Sequence, residues 1–92
     1  MRDSMIEIEQ KLKLIVAQNA IPTTSPDVIV RTSRPIEDLG MDSMQIINLF
    51  AIIEIEFGIT IFDDMFAPEA IETFGGLVEM VKTCIKKSKH TI

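Results

Sequence analysis

Apolar residues recur at the helical period in three stretches of the chain, and segments rich in proline, hydroxyl or acid separate them. In the first stretch Met5, Ile8, Leu12, Ile15 and Val16 fall within an arc of roughly 100°. Ser4-Met5-Ile6-Glu7 has the capping-box spacing of a hydroxyl followed three residues later by a carboxylate, so a helix is predicted from about Ser4 to about Gln18. Pro22, Pro26 and the cluster Thr23-Thr24-Ser25 then stop it. The long loop that follows reaches Met41, and Val28, Ile29, Val30, Ile36 and Leu39 are expected to tack it onto the core. Val28 to Arg31 reads as extended coil or a single helical turn, because a lone strand would lack a partner.

A second helix is predicted from Ser43 to Phe57, capped by Asp42 with Gln45 in the capping-box position and closed by Gly58. Ile46, Ile47, Leu49, Phe50, Ile53 and Phe57 cover well over a third of its circumference, which marks it as the central helix. On the other arc, with Gln45, Asn48 and Glu56, stand Ile52 and Ile55; they either cover part of the long first loop or form an exposed docking patch. Phe62 to Phe66 reads as a helical turn capped by Asp63 and stopped by Pro68. The last helix is predicted from about Thr73 to about Lys87, with Phe74, Leu77, Val78, Val81, Cys84 and Ile85 as one buried stripe. Gly75 and Gly76 in its first turn cost helix propensity, so they imply close approach to another element or fraying. Three amphipathic helices plus a short one, with no convincing paired strands, predict an all-α fold: a small four-helix bundle with a long loop between the first and second helices. The 92 residues are expected to form one domain, ordered over about 4–87 with 88–92 as a tail.

Composition narrows the function. Only five Phe and no Trp or Tyr stand among 47% hydrophobic residues, so no aromatic platform for base stacking exists, and a formal charge of −5 argues further against nucleic acid. Between Arg34 and Lys82 there is no Lys or Arg, while Glu37, Asp38, Asp42, Glu54, Glu56, Asp63, Asp64, Glu69, Glu72 and Glu79 all carry negative charge. This is either a field that steers basic partners or a solvated surface kept for solubility. Cys84 is the sole cysteine, which excludes an intramolecular disulfide and a multi-cysteine metal site and fits a reducing compartment. No secretory signal is visible, and the apolar run from Ile46 to Phe57 is too short and too interrupted to span a bilayer. The chain therefore reads as soluble and cytoplasmic.

One hydroxyl stands out. Ser43 lies where the loop Glu37-Asp38-Leu39-Gly40-Met41-Asp42 hands over to the second helix, beside backbone N–H groups that lack helical partners. A phosphate ester would be stabilised at this positive end of the helix dipole. Hydrolase chemistry is not supported, because the sole histidine is His90 in the tail and the sequence around Ser43 lacks the second glycine of a nucleophile elbow. Asp63-Asp64 lacks the alternating ligands and glycine of a calcium loop, so neither a catalytic nor a metal residue is assigned. On local physics alone, a carrier of a covalent arm stands beside a small acidic helical adaptor in which Ser43 is an ordinary first-turn residue.

The motif Leu39-Gly40-Met41-Asp42-Ser43-Met44 resembles the attachment site of the acyl carrier protein family, with Met44 where leucine is usual, and the resemblance extends over about residues 4–87. Glu54-Ile55-Glu56-Phe57 with Ile59, Ile61 and Asp63 resembles the acidic end of that family's second helix and the loop after it. The resemblance implies a non-catalytic, monomeric carrier whose Ser43 receives 4′-phosphopantetheine from coenzyme A through a phosphopantetheinyl transferase. Its tethered thiol would hold acyl groups as thioesters and raise their effective concentration at acyl-loading and acyl-processing enzymes such as a ketosynthase or acyltransferase. It further implies that Asp42 and Met44 frame the attachment point and that Gln45, Asn48, Ile52, Ile55, Glu56, Phe62 and Met65 meet partners. Ile47, Phe50, Ile53 and Ile61 would shelter an acyl chain between the helices. Gln45, Asn48 and Ile55 stand where acidic residues are frequent in the family, and Phe62 replaces a frequent proline. These departures point to a dedicated partner set, in a specialised lipid, polyketide or peptide pathway, rather than the housekeeping fatty-acid enzymes. Peptidyl, aminoacyl and D-alanyl carriers share the same arm, so the cargo stays open.

Overall fold

A computed structural model describes residues 5–61 and 68–89. Four α-helices stand among them: α1 (Met5–Asn19), α2 (Ser43–Phe57), α3 (Pro68–Glu72) and α4 (Phe74–Lys89), with no strand among the described residues. The expected all-α bundle is what forms. The capping box at Ser4, the helical turn at Phe62 to Phe66 and the tail beyond Lys89 lie outside the described residues.

Each long helix buries one stripe into a single shared core. Helix α1 contributes Ile8, Leu12, Ile15, Val16 and Ala17, α2 contributes Ile46, Leu49, Phe50 and Ile53, and α4 contributes Phe74, Leu77, Val78, Met80, Val81 and Cys84. Spacing by three and four residues keeps each set on one face at about 100° per residue. Ile47 is corrected by this phase. It lies about 100° from the centre of the α2 stripe and is 61% exposed, so it does not line the interior. Ile46 lies inside the stripe and is buried, and the next residue falls past its edge. Ile52 is half-buried and packs against the core, whereas Ile55 is 79% exposed.

The short helix α3 is an element that the sequence reading did not place. Pro68 begins it, at the first-turn position where its missing N–H costs nothing. Ala70 is buried and Ile71 packs against the core, so α3 docks chiefly on α4.

The long first loop is held at few points. Ser25 caps a single 3₁₀ turn at Pro26–Val28, its side chain accepting from the Asp27 N–H at 3.2 Å. Ile29 and Met41 are then fully buried and Pro35 joins them, while Val28, Val30 and Ile36, expected to tack the loop down, remain exposed. Backbone polar groups do the remaining work. The Phe74 N–H donates to the Ser33 carbonyl at 2.7 Å and the Gly75 N–H to the Arg31 carbonyl at 2.8 Å, so the loop satisfies the open N-terminus of α4. A Cβ on Gly75 would come within 3.1 Å of that Arg31 oxygen, which is the close approach anticipated for the glycine pair. The Arg31 guanidinium also bridges Glu9 of α1 at 3.2 Å and Glu79 of α4 at 3.1 Å.

Candidate functional site

Residues 34–42 form a knot of turns that delivers the chain to α2. The Asp38 N–H donates to the Arg34 carbonyl at 2.7 Å, the Arg34 N–H returns a bond to Asp38 Oδ2 at 2.9 Å, and the Met41 N–H donates to the Pro35 carbonyl at 3.1 Å. The Arg34 guanidinium pairs with Glu37 and Asp38. The Arg34 backbone N–H, followed by its side chain, holds the Asp38 carboxyl below the usual carboxylate range, and Asp38 in turn raises the Arg34 guanidinium above its ordinary value. The one cation of residues 34–42 is thus engaged by carboxylates of the same segment. Sequence reasoning missed this lock, although the spacing Arg34-x-x-Glu37-Asp38 carried the signal.

Gly40 makes the knot possible. Its φ of 72° lies in the left-handed region, and a Cβ there would collide with the Ile21 carbonyl oxygen, so only glycine fits. The Ile21 N–H donates to the Leu39 carbonyl at 2.9 Å, which moors the loop end to the residues just after α1.

Asp42 then turns the chain into α2. It has an extended backbone, its Oδ1 accepts from the Gln45 N–H at 2.9 Å, and its carbonyl accepts from the Ile46 N–H at 3.0 Å. This is the predicted N-cap. Gln45 completes only half of the expected box, since its side-chain oxygen accepts from Asn48 Nδ2 at 3.4 Å. At the other end Gly58 closes the helix in the left-handed conformation, its N–H on the Glu54 carbonyl. Glu54 Oε2 accepts from the Ile61 N–H at 2.7 Å, and Lys11 Nζ reaches the Glu56 carbonyl at 2.7 Å while lying over the Phe57 ring. These contacts tie the C-terminal turn of α2 to α1 and to the segment after it.

Ser43 is the first residue of α2 and is exposed, with no described residue hydrogen-bonded to its hydroxyl. Met44 beside it is 66% exposed. An accessible oxygen at the positive end of a 15-residue helix, in a loop whose arginine is already paired, suits a phosphate ester rather than a buried structural role.

Around this point the expected contact residues divide. Asn48, Ile55 and Glu56 are exposed, Gln45 and Ile52 are half-buried, and Phe62 and Met65 lie outside the described residues. Of the expected acyl-chain lining, Phe50, Ile53 and Ile61 are buried in the common core and Ile47 is not among them. No described helix is long and apolar enough to cross a membrane.

Comparison with known proteins gives this geometry a family. The sequence profile described as "Phosphopantetheine attachment site" matches residues 10–81, a span that encloses Asp42, Ser43, the whole of α2 and the first half of α4. The acyl carrier protein of Afipia carboxidovorans is 36% identical over 78 residues, covering 85% of this chain and 94% of that relative. The prosthetic group of such domains is covalently attached 4′-phosphopantetheine. Match, motif and helical order agree, and the chain belongs to the acyl carrier protein family of phosphopantetheine-bearing carrier domains.

Proposed function

We propose that Ser43 is the attachment residue and that the chain carries acyl intermediates for enzymes of fatty acid, specialised lipid or polyketide biosynthesis. The carrying observation is the exposed hydroxyl of Ser43 at the first position of α2, to which no described residue is hydrogen-bonded. Asp42 holds that position by capping α2, and Gly40 with the Arg34–Asp38 lock fixes the approach of the loop. When bound, the phosphopantetheine supplies a terminal thiol that bears the cargo as a thioester on a flexible tether. The protein's own residues present the anchor and perform no catalysis.

Phe50, Ile53 and Ile61 give an apolar interior in which a fatty chain could be sheltered from water, each being less than a tenth exposed. This favours acyl cargo over aminoacyl or D-alanyl cargo, which has no long apolar tail to bury. The working partners are a phosphopantetheinyl transferase and acyl-loading and acyl-processing enzymes, met by a monomer in the cytoplasm. The scarcity of carboxylates on the exposed part of α2 supports a dedicated partner set over housekeeping enzymes.

Intact mass tests the anchor. Coexpression with a broad transferase is expected to add one phosphopantetheine to the wild-type chain and none to Ser43→Ala; an unmodified wild type supports the acidic adaptor instead. Mass analysis of the thioester on protein taken from the native host is expected to show an acyl chain. An aminoacyl adduct there overturns the choice of cargo while leaving the anchor intact.

A further inference from the structure

Between the end of α1 and the first loop lies a cleft of about 400 Å³ that the anchor and its cap do not use. Ile21, Val28 and Leu39 give it apolar walls, and Thr23, Thr24 and Ser33 give it hydroxyls. Ser33 is only 9% exposed, and its Oγ accepts from the Val30 N–H at 2.9 Å, which leaves its hydroxyl hydrogen without an acceptor among the described residues. Thr24 is half-buried, and its hydroxyl has no hydrogen-bond partner among the described residues. Asp38 is the charged residue of the lining, and its carboxylate is already held by the Arg34 N–H and guanidinium. A nearly buried hydroxyl with a proton to donate, set between apolar walls, suits a neutral ligand built of amide carbonyls and methylenes.

Resting on the reading of Ser43 as anchor, we propose that this cleft is the seat of the arm when it carries no acyl group. Ser33 and Thr24 donate to the amide carbonyl nearest the thiol, and Ile21, Val28 and Leu39 cover the methylenes beside it. Leu39 stands four residues before Ser43, so at most about 14 Å of chain separates this wall of the cleft from the anchor. From phosphorus to sulfur the arm has about thirteen bonds, a reach of about 15 Å by the same measure. Its far end thus comes to the cleft while the phosphate stays at the helix. Beyond the phosphate the arm is uncharged, and the cleft offers no unpaired charge to it. The core at Phe50, Ile53 and Ile61 is lined by hydrocarbon, so an amide entering there would lose its water without replacement. Without an acyl tail to bury, the arm is better matched by the hydroxyls of the first loop.

The test compares the full-length chain in apo form with the same chain loaded by a coexpressed transferase, using amide NMR and alkylation of the arm thiol by iodoacetamide read as intact mass. Loading is expected to move the amide signals of Thr24, Val28 and Ser33 as well as those beside Ser43, and to give NOEs from the arm's last methylenes to the Ile21 and Val28 methyls. Val28→Asp, at a residue 59% exposed, is expected to lose the NOEs and to alkylate about threefold faster, as for a closed seat occupied about two-thirds of the time. Thr24→Val is expected to shift the rate in the same direction, and it carries the comparison if melts show that Val28→Asp does not fold. Val30→Asp, 53% exposed on the same loop but outside the cleft, is the control and is expected to alkylate as the wild type does. Cys84 is 1% exposed, and the apo chain supplies its background. Amide changes confined to the neighbours of Ser43, changes at Ile53, Ile61 and Ala70 in place of the loop, unaltered rates in both cleft variants, or an equal acceleration in Val30→Asp overturns the seat and leaves the anchor intact. If the wild type gains no phosphopantetheine, or Ser43→Ala gains as much, the anchor itself is wrong and the seat falls with it; the mass separates that failure from the others.

Discussion

Two helix N-termini in this chain face the same physical problem and solve it in opposite ways. At α4 the free N–H groups of Phe74 and Gly75 are taken by the carbonyls of Ser33 and Arg31, Thr73 Oγ1 accepts from the Gly76 N–H at 3.1 Å, and Phe74 is fully buried. At α2 a single carboxylate, Asp42, accepts from Gln45, and Ser43 and Met44 face water. The first terminus is spent on holding the loop to the bundle. The second is left open, and under the proposed anchoring at Ser43 that openness is what would let a modifying enzyme reach it.

The largest expected effects separate the two ends. Ser43→Ala should lose all phosphopantetheine uptake by intact mass while its unfolding free energy shifts by no more than about 0.5 kcal/mol, as for an exposed side chain without partners. Phe74→Ala should do the reverse, costing about 3–5 kcal/mol in urea titrations through the cavity it leaves. A Ser43→Ala chain that unfolds early would show that the open end is structural after all. Next in size, Gly40→Ala should cost on the order of 1–3 kcal/mol, because the new methyl meets the Ile21 carbonyl at a left-handed φ. A thermal melt matching wild type would mean the approach to Ser43 can shift cheaply.

Smaller effects sharpen the contrast. Removing either cap, by Asp42→Ala or Thr73→Ala, should cost about 1 kcal/mol by denaturant titration. If the α2 cap alone were silent, its N-terminus would be open in energy as well as in space. The smallest effect lies in the knot before α2. Asp38 has a folded pKa below its ordinary value of 3.8, so the native state binds its proton less readily than the unfolded chain does. Its contribution is therefore complete above that ordinary value and is lost as pH falls through the folded one. The stability gap between wild type and Asp38→Asn should shrink as titrations move from about pH 6 to below pH 3.

Much of this was legible in the sequence. Asp42 and Gly58 marked the bounds of α2 because cap chemistry is local, and the spacing in α1 and α4 marked their buried faces because period is local too. The place of Ser43 at the first position of α2 was legible for the same reason, being fixed by the cap beside it. Where structure depends on distant partners the sequence was mute. The first loop has no period, so nothing in it told that Met41, Pro35 and Ser33 would be buried while Val28, Val30 and Ile36 stayed wet. That Pro68 begins a helix was not read from the sequence, because α3 is short and is held by docking on α4. Ile47 was misplaced because α2 is apolar on more than one side, and which side is covered shows only when the neighbours are in place.

The mooring of Gly40 and Leu39 on Ile21 makes a neck, through which the chain leaves α1 and to which it returns just before Ser43. Everything strung between is an excursion whose two ends are already pinned together. Lengthening such an excursion costs little, about 0.6 kcal/mol for each doubling of a flexible loop. The span beyond the neck can thus gain or lose residues at its exposed stretches while the Ser43 hydroxyl keeps its position against the first helix.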